Sequence, residues 1–151
     1  MADSPSQLTD HLGYWMRLVS NQVSLSFAKR VEDRGVTVAE WVLLRELYDV
    51  DQIAPIRLAE RMGMTRGAIS KLADRLIAKG LLLRRDHMRD ARAQLLSLAE
   101  AGRELVPTLA ALADENDAHF FNGLSERDRA ELARLLKRVA QRHGLREPPV
   151  S

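Results

Sequence analysis

Residues Pro55 to Leu98 read PIRLAERMGMTRGAISKLADRLIAKGLLLRRDHMRDARAQLLSL, the most specific pattern in the chain. In its first half, apolar residues recur every three or four positions, which is typical of amphipathic helices, and Gly63 interrupts the repeat. Its second half contains two short apolar runs that flank an arginine-rich loop. The stretch therefore predicts two short helices joined by a tight turn and followed by a β-hairpin.

The second predicted helix has two contrasting faces. Its apolar residues recur at helical spacing and predict one buried stripe: Ile69, Leu72, Ala73, Leu76 and Ile77. The opposite face carries polar, charged or small residues: Arg66, Gly67, Ser70, Lys71, Asp74 and Arg75. Thr65 can cap the start of this helix, and Gly80 suits the left-handed residue after Lys79, so we expect a helix from Arg66 to Lys79. Because a DNA major groove admits one helix and displays base edges, the polar face can read DNA.

The preceding helix is predicted to begin at Pro55, which is favoured in a first helical turn. Its apolar residues are expected to pack inward: Ile56, Leu58, Ala59 and Met62. Gly63 supplies the turn to the next helix, and the result is a helix-turn-helix.

After Gly80 the pattern becomes extended, with predicted strands at Leu81 to Leu83 and Gln94 to Leu98. The loop between them, RRDHMRDAR, is too charged to be buried and should project into solvent as a wing. Arginine suits such a tip because its planar, permanent charge fits a narrow minor groove of negative potential. The wing residues expected to contribute to DNA binding are Arg84, Arg85, Arg89, Asp90 and Arg92. Asp90 is expected to hold Arg92 in an extended pose.

Four wing and post-wing residues, Asp90, Arg92, Leu98 and Gly102, have the spacing of a known family pattern. Together with TRGAISKLADRL and the segment from Thr37 to Leu47, with its Trp41, they make the chain resemble the MarR family of winged helix-turn-helix transcription regulators. One position departs from the family pattern, since Ala99 stands where a capping threonine is usual. Ser97 and Glu100 have the spacing of a capping box, so the next helix can start at either Ala99 or Ser97.

The resemblance implies a sequence-specific regulator, a repressor, that binds a pseudo-palindromic operator as a homodimer with half-sites about 10 bp apart. We expect base contacts in the major groove from the polar face of the second helix: Arg66, Ser70, Lys71 and Arg75. Thr65 and Lys79 are expected to contact phosphates, Gly67 to permit close backbone approach, and Arg92 to enter the minor groove. The resemblance also implies a pocket for a small aromatic or phenolic effector, lined by Tyr14, Trp15, Met16, Trp41 and Tyr48. Core packing is the favoured alternative for those five residues.

Positive charge is concentrated in the predicted DNA-binding part. Residues 57–92 hold ten Lys and Arg residues against four Asp and Glu residues, a net charge of +6. The remainder holds thirteen basic and seventeen acidic residues, a net charge of −4. A basic patch with acidic flanks favours phosphate binding at one surface only. Double-stranded DNA is therefore the expected partner.

The flanking segments are predicted to be helical. A first helix from Ser6 to Arg34 carries a long apolar stripe, and Thr37 to Glu40 forms a capping box for a second helix that ends near Tyr48. The stripes exceed what the winged unit can cover, which favours a two-fold homodimer. The predicted fold is mainly α with a small β-wing, in four segments: a dimerisation helix (1–36), the winged helix-turn-helix domain (37–98), C-terminal dimerisation helices (99–144) and a tail (145–151).

Several other classes of protein are disfavoured. No apolar run approaches the ~20 residues of a membrane span, and no secretory signal is evident, so a cytoplasmic protein is expected. The chain has no cysteine, and its four histidines lack the spacing of metal ligands, so no metal or cofactor is expected. It also lacks a phosphate loop, a nucleophile elbow and paired catalytic carboxylates, so an enzyme is not expected. Two alternatives remain open: a nonspecific architectural DNA-binding protein, and a winged-helix module that binds only proteins.

Overall fold

A computed structural model describes residues 3–87 and 90–145, with side chains left undescribed at 87 and 90–93. The described chain consists of a short 3-10 turn, six α-helices and one antiparallel hairpin. Their bounds are Leu8–Asp10 for the turn, then α1 Leu12–Glu32, α2 Val38–Tyr48, α3 Pro55–Met62, α4 Arg66–Ala78, β1 Leu82–His87, β2 Asp90–Leu98, α5 Glu100–Phe121 and α6 Glu126–Arg142. The predicted fold class, mainly α with a small β-wing, is confirmed.

The helix-turn-helix forms from the local signals that predicted it. Pro55 occupies the first position of α3, and Gly63 ends that helix in the left-handed conformation, at φ 63° and ψ 33°. The hydroxyl of Thr65 accepts a hydrogen bond from the backbone N–H of Ala68 at 3.1 Å and caps α4. Gly80 follows the end of α4 at φ 75°, a conformation that favours glycine. The predicted bounds of α4 agree with the structure to within one residue.

The core lies between α1, α2, α5 and the inner faces of the helix-turn-helix. Four residues of the predicted α4 stripe are buried and Ile77 is half-buried, as expected. In α3, Leu58, Ala59 and Met62 are buried, but Ile56 is 48% exposed, so its predicted inward packing is wrong. Two residues along a helix correspond to a rotation of about 200°, which places Ile56 opposite Leu58.

The hairpin is longer than predicted. Residues of β1 pair with β2 from Leu82 opposite Leu98 to Asp86 opposite Gln94, so Arg84 and Arg85 belong to a strand and not to the loop. A two-stranded hairpin can carry charge because its strands have solvated faces, and both arginines are exposed. Ile53 extends the pairing by exchanging two backbone hydrogen bonds with Leu96, each 2.9 Å long.

The first helix starts later than predicted. The sequence predicted a helix from Ser6, but α1 begins at Leu12 because His11 is extended, at φ −99° and ψ 127°. The backbone N–H of Gln7 donates to the carboxylate of Asp10 at 2.8 Å, which closes the preceding 3-10 turn. This local hydrogen bond competes with continuation of the helix.

Helix α5 starts after Ala99, which is its N-cap residue. The N–H of Ala99 donates to the carbonyl of Leu81 at 3.0 Å, while Ser97 pairs with Leu83 inside the hairpin. The alternative start at Ser97 is therefore wrong. Close packing continues at Gly102, where a Cβ would overlap the carbonyl oxygen of Leu81. The base of the hairpin therefore packs against the start of α5.

Candidate nucleic-acid interface

The polar face of α4 is exposed along its whole length. All six residues predicted for this face are solvent-exposed, and three of them are cationic: Arg66, Gly67, Ser70, Lys71, Asp74 and Arg75. We call this set the α4 face. The buried side of α4 packs against the core, so the α4 face is held in a fixed position on the surface. Its size and polarity fit a major groove.

The packing of the chain does not require glycine at position 67. A Cβ built there would meet no atom within 4 Å. A glycine in a helix costs about 0.5–1 kcal/mol relative to alanine, and here no close contact inside the chain offsets that cost. The exposed backbone at Gly67 permits close approach of an external molecule, which would account for glycine at this position.

The wing is linked to α4 by an ion pair. Arg84 in β1 donates from Nη2 to Oδ1 of Asp74 at 2.8 Å. Neighbouring residues of a strand point to opposite faces, so Arg85 lies on the other side of the hairpin. Local sequence patterns did not predict the pairing of Arg84 with Asp74, because the two residues belong to different elements. Arg84 joins the wing to the α4 face and reduces the negative charge that Asp74 would present to DNA.

The tip of the wing carries three of the predicted DNA contacts. Arg89 lies outside the described residues, as do the side chains of Asp90 and Arg92. The backbone of Asp90 and Arg92 belongs to β2. Their expected contacts with DNA and with each other remain predictions.

Lys79 was expected to contact a DNA phosphate, but its ammonium forms hydrogen bonds within the chain. Its ammonium donates to both carboxylate oxygens of Glu40, at 2.9 and 2.8 Å, and to the carbonyl of Gly35 at 2.8 Å. An ammonium has three N–H donors, and these three acceptors occupy them. We therefore leave Lys79 out of the proposed DNA contacts.

Glu40 is a buried carboxylate that the sequence analysis recognised only as part of a capping box. Burial raises the pKa of Glu40, but hydrogen bonds from Lys79 and Thr37, with the positive charge of Lys79, lower that pKa below its usual value overall. The carboxylate is therefore ionised at neutral pH and paired. Its partner is 39 residues away along the chain, so local spacing gave no signal for the pair.

The five residues predicted to line an effector pocket have different surroundings. Tyr14 and Trp15 form an edge-to-face pair at 5.6 Å, and both are exposed, as is Met16. Trp41 packs edge-to-face against Phe27 at 6.5 Å and is half-buried. The guanidinium groups of Arg45 and Arg103 lie 5.6 and 5.5 Å from the ring centre of Tyr48. A single chain therefore gathers these side chains into three groups.

Exposed apolar side chains are concentrated on α1 and α6. On α1 they include Leu12, Trp15, Met16, Leu18, Val19 and Leu25, and on α6 they include Leu135, Leu136 and Val139. None of the seventeen residues of α6, all of which the structure describes, is buried. Helices that expose this much apolar surface are typical of an interaction site.

Comparison with known proteins gives the family. A sequence model of the MarR family matches residues 34–93, which span α2, the helix-turn-helix and most of the hairpin. The crystal structure of a probable transcriptional regulator from Pseudomonas aeruginosa superposes with a TM-score of 0.76 at 27% identity, over 88% of this chain and 99% of that one. These matches support a winged-helix transcription regulator of the MarR family.

Other MarR-type relatives match over most of their length. An uncharacterized HTH-type transcriptional regulator of Bacillus cereus is 27% identical over 89% of this chain and 92% of that protein. The HTH-type transcriptional repressor MdtR of Bacillus subtilis is 25% identical over 91% of this chain and 89% of the repressor. The fold is shared with a mutant MarR from E. coli complexed with operator DNA, with a TM-score of 0.75 at 23% identity over 85% of this chain and 92% of that one.

Members of the MarR family are DNA-binding transcription regulators and not enzymes. In the described residues no helix is both long and apolar enough to cross a membrane.

Proposed function

We propose that this MarR-family protein is a repressor that binds a pseudo-palindromic operator as a homodimer. The observation that carries the proposal is the α4 face, an exposed polar and cationic surface on a helix whose opposite side is fixed in the core. In the proposed complex, Arg66, Ser70, Lys71 and Arg75 contact base edges, and Thr65 contacts a phosphate. Gly67 lets the backbone approach the DNA.

The wing contributes a second contact. Arg92 enters the minor groove next to the half-site, while Arg85 and Arg89 add contacts to the backbone. Arg84 keeps its ion pair with Asp74 and holds the hairpin beside α4. A regulator of this design combines base readout in one groove with recognition of shape and charge in the other.

The dimer is supported by the exposed apolar surfaces of α1 and α6. Val139 is 56% exposed and Leu12 is 84% exposed, which is unfavourable for side chains of this kind in a lone chain. We therefore assign residues 1–36 and 99–144 to dimerisation, residues 37–98 to DNA binding and residues 145–151 to a tail. Two-fold symmetry then places two α4 helices about one turn of DNA, ~10 bp, apart.

Selection of bound duplexes from a random pool tests the proposed function. We expect an inverted repeat to be enriched and to bind at least ~10³-fold more tightly than random DNA at physiological salt. An architectural DNA-binding protein would instead bind all duplexes alike, although its affinity would also fall steeply with salt. A protein-interaction module would bind no duplex. Either result would contradict the proposal.

Release by a small aromatic or phenolic effector is a further part of the proposal. Two proteins that share the fold, 23% identical in each case, are described as regulated by 6-hydroxynicotinic acid (BpsR of Bordetella bronchiseptica) and as bound to p-coumaroyl-CoA (CouR of Rhodococcus jostii). In this chain the exposed Tyr14 and Trp15 are available to contribute to such a site once a second copy covers α1.

An effector can release DNA only if it binds the DNA-free conformation more tightly than the DNA-bound one. Calorimetry with simple aromatic acids, followed by titration of the protein–DNA complex, tests this part. We expect heat of binding together with loss of DNA affinity. Absence of both effects would contradict effector control and leave the DNA-binding proposal standing.

A further inference from the structure

A buried ion pair connects the end of α4 to the start of α2. Glu40, in the first turn of α2, is 1% exposed, and Lys79 is the C-cap residue of α4. The carbonyl of Gly35, in the turn after α1, accepts the third hydrogen bond of the ammonium. Three elements of the chain therefore meet at one cation.

The carboxylate of Glu40 is itself held in place by its own helix. The backbone N–H of Thr37 donates to Oε1 of Glu40 at 3.0 Å, and the N–H of Glu40 donates to the hydroxyl of Thr37 at 3.1 Å. This reciprocal capping box restricts the side chain before Lys79 binds it. Lys79 therefore attaches α4 to a rigid point.

We propose that the Glu40–Lys79 pair is a strut that fixes the tilt of α4, so that Lys79 acts on DNA affinity as a positioning residue inside the protein. This inference rests on the proposed function, because it requires α4 to be the helix that enters the groove. The apolar stripe of α4 resists separation from the core but is not directional. Hydrogen bonds between charged groups are directional and add the missing restraint.

Because the strut lies at the far end of α4 from Arg66, a small tilt of the helix displaces its first turn by a large distance. Lys79 lies thirteen residues from Arg66, which corresponds to about 20 Å of helix. A tilt of about 5° around Lys79 would move the first turn of α4 by ~1.7 Å. N–H···O hydrogen bonds tolerate a range of only about 0.5 Å. Loss of the strut would therefore misplace the side chains at the DNA end of α4.

A salt series separates a positioning residue from one that binds phosphate. The variants are Lys79→Met and, as a control at an exposed wing residue proposed to contact the DNA backbone, Arg85→Met. The probe is the best duplex that the wild-type protein selects from a random pool. We expect Lys79→Met to weaken binding by roughly 2- to 30-fold at every salt concentration, with the slope of log K against log salt unchanged. Arg85→Met should make that slope shallower by about 0.9 for each phosphate that the protein no longer neutralises. An equally shallow slope for Lys79→Met would overturn the strut.

Substitution of Glu40 gives a second, independent test of the strut. Glu40→Gln keeps the shape of the side chain and the acceptor for Thr37 but loses the charge, so the strut predicts weaker DNA binding. If Lys79 bound phosphate, the same change would free its ammonium and leave affinity unchanged or increased, which would contradict the strut. Lys79→Arg retains the charge and should restore part of the affinity that Lys79→Met removes.

All variants are compared below their unfolding temperatures, with circular dichroism as the check on folding. If Lys79→Met fails to fold, Glu40→Gln still decides between the two roles. If the wild-type protein selects no duplex, the proposed function fails. The salt series on one fixed random-sequence duplex then still decides whether Lys79 binds phosphate.

Discussion

Gly67 and Gly102 both lie in the first turn of a helix, yet their surroundings differ. Gly67 in α4 has open space around the position of a Cβ, whereas a Cβ on Gly102 in α5 would overlap the carbonyl of Leu81. Backbone atoms cannot move aside as the end of a flexible side chain can. The packing of the chain therefore requires glycine at position 102 but not at position 67, and the same substitution to alanine distinguishes the two positions.

We expect Gly102→Ala to destabilise the protein by about 1–3 kcal/mol, because the added methyl group must displace the backbone at Leu81. Gly67→Ala should stabilise the folded chain by about 0.5–1 kcal/mol and at the same time weaken DNA binding. Urea denaturation and DNA titration of both variants measure these effects. Equal stability of the two variants would contradict the packing described for Gly102.

The pKa of Glu40 predicts how stability depends on pH. Because this pKa is lowered in the folded protein, the ionised carboxylate favours folding, and its contribution is complete above the usual value of 4.5. The contribution is lost as the pH falls below 4.5 and through the folded pKa. Urea midpoints measured from pH 6 to acid should therefore fall less steeply for Glu40→Gln than for the wild-type protein. Parallel curves would show that Glu40 makes no such contribution.

Residue roles were predictable from the sequence where they depended on local spacing. The cap at Thr65, the left-handed Gly63 and the exposed α4 face all follow from periodicity and helix-end chemistry. Lys79 was expected to contact phosphate because a cation at the end of a DNA-reading helix favours that role, and its hydrogen bonds within the chain were not foreseen. Its acceptors, Glu40 and Gly35, come from a distant part of the chain, which periodicity cannot reveal.

At the scale of elements, helices with strong caps were predicted well and the wing less well. The signals that predicted these helices were the capping box of α2, the proline and glycine at the two ends of α3, and the Thr65 cap of α4. The strands were predicted too short because charged residues were taken to exclude strand pairing, whereas Arg84 and Arg85 pair on a solvated hairpin. The start of α5 depended on a hydrogen bond from Ala99 to Leu81, a tertiary interaction absent from local patterns.

The wing should contribute a separable part of DNA affinity. We expect Arg92→Ala to weaken binding to the selected duplex by about 1–3 kcal/mol, the usual value of a good arginine contact at base level. Arg127→Ala, an exposed position in the first turn of α6, serves as the control and should have little effect. Fluorescence anisotropy on the same duplex measures both. Unchanged affinity for Arg92→Ala would refute the role given to the wing.

At the scale of the whole molecule, the exposed apolar surfaces of α1 and α6 predict the oligomeric state. Val139→Glu places a charge on the proposed interface, where its desolvation would oppose association. We expect this variant to shift from dimer to monomer in sedimentation equilibrium and to lose tight DNA binding. Ile56→Gln, a change at an exposed apolar residue on α3, should leave the dimer intact. A dimer of unchanged stability in Val139→Glu would place the interface elsewhere.

Binding to duplexes with altered half-site spacing tests whether two winged helix-turn-helix units recognise DNA as a symmetric pair. The selected inverted repeat is compared with the same repeat carrying about five extra base pairs at its centre, which rotates one half-site by about half a turn of DNA. Because the symmetric protein holds its two α4 helices at one separation, we predict that the insertion lowers affinity to the level of random DNA. Equal affinity for both duplexes would contradict recognition by a symmetric pair of winged helix-turn-helix units.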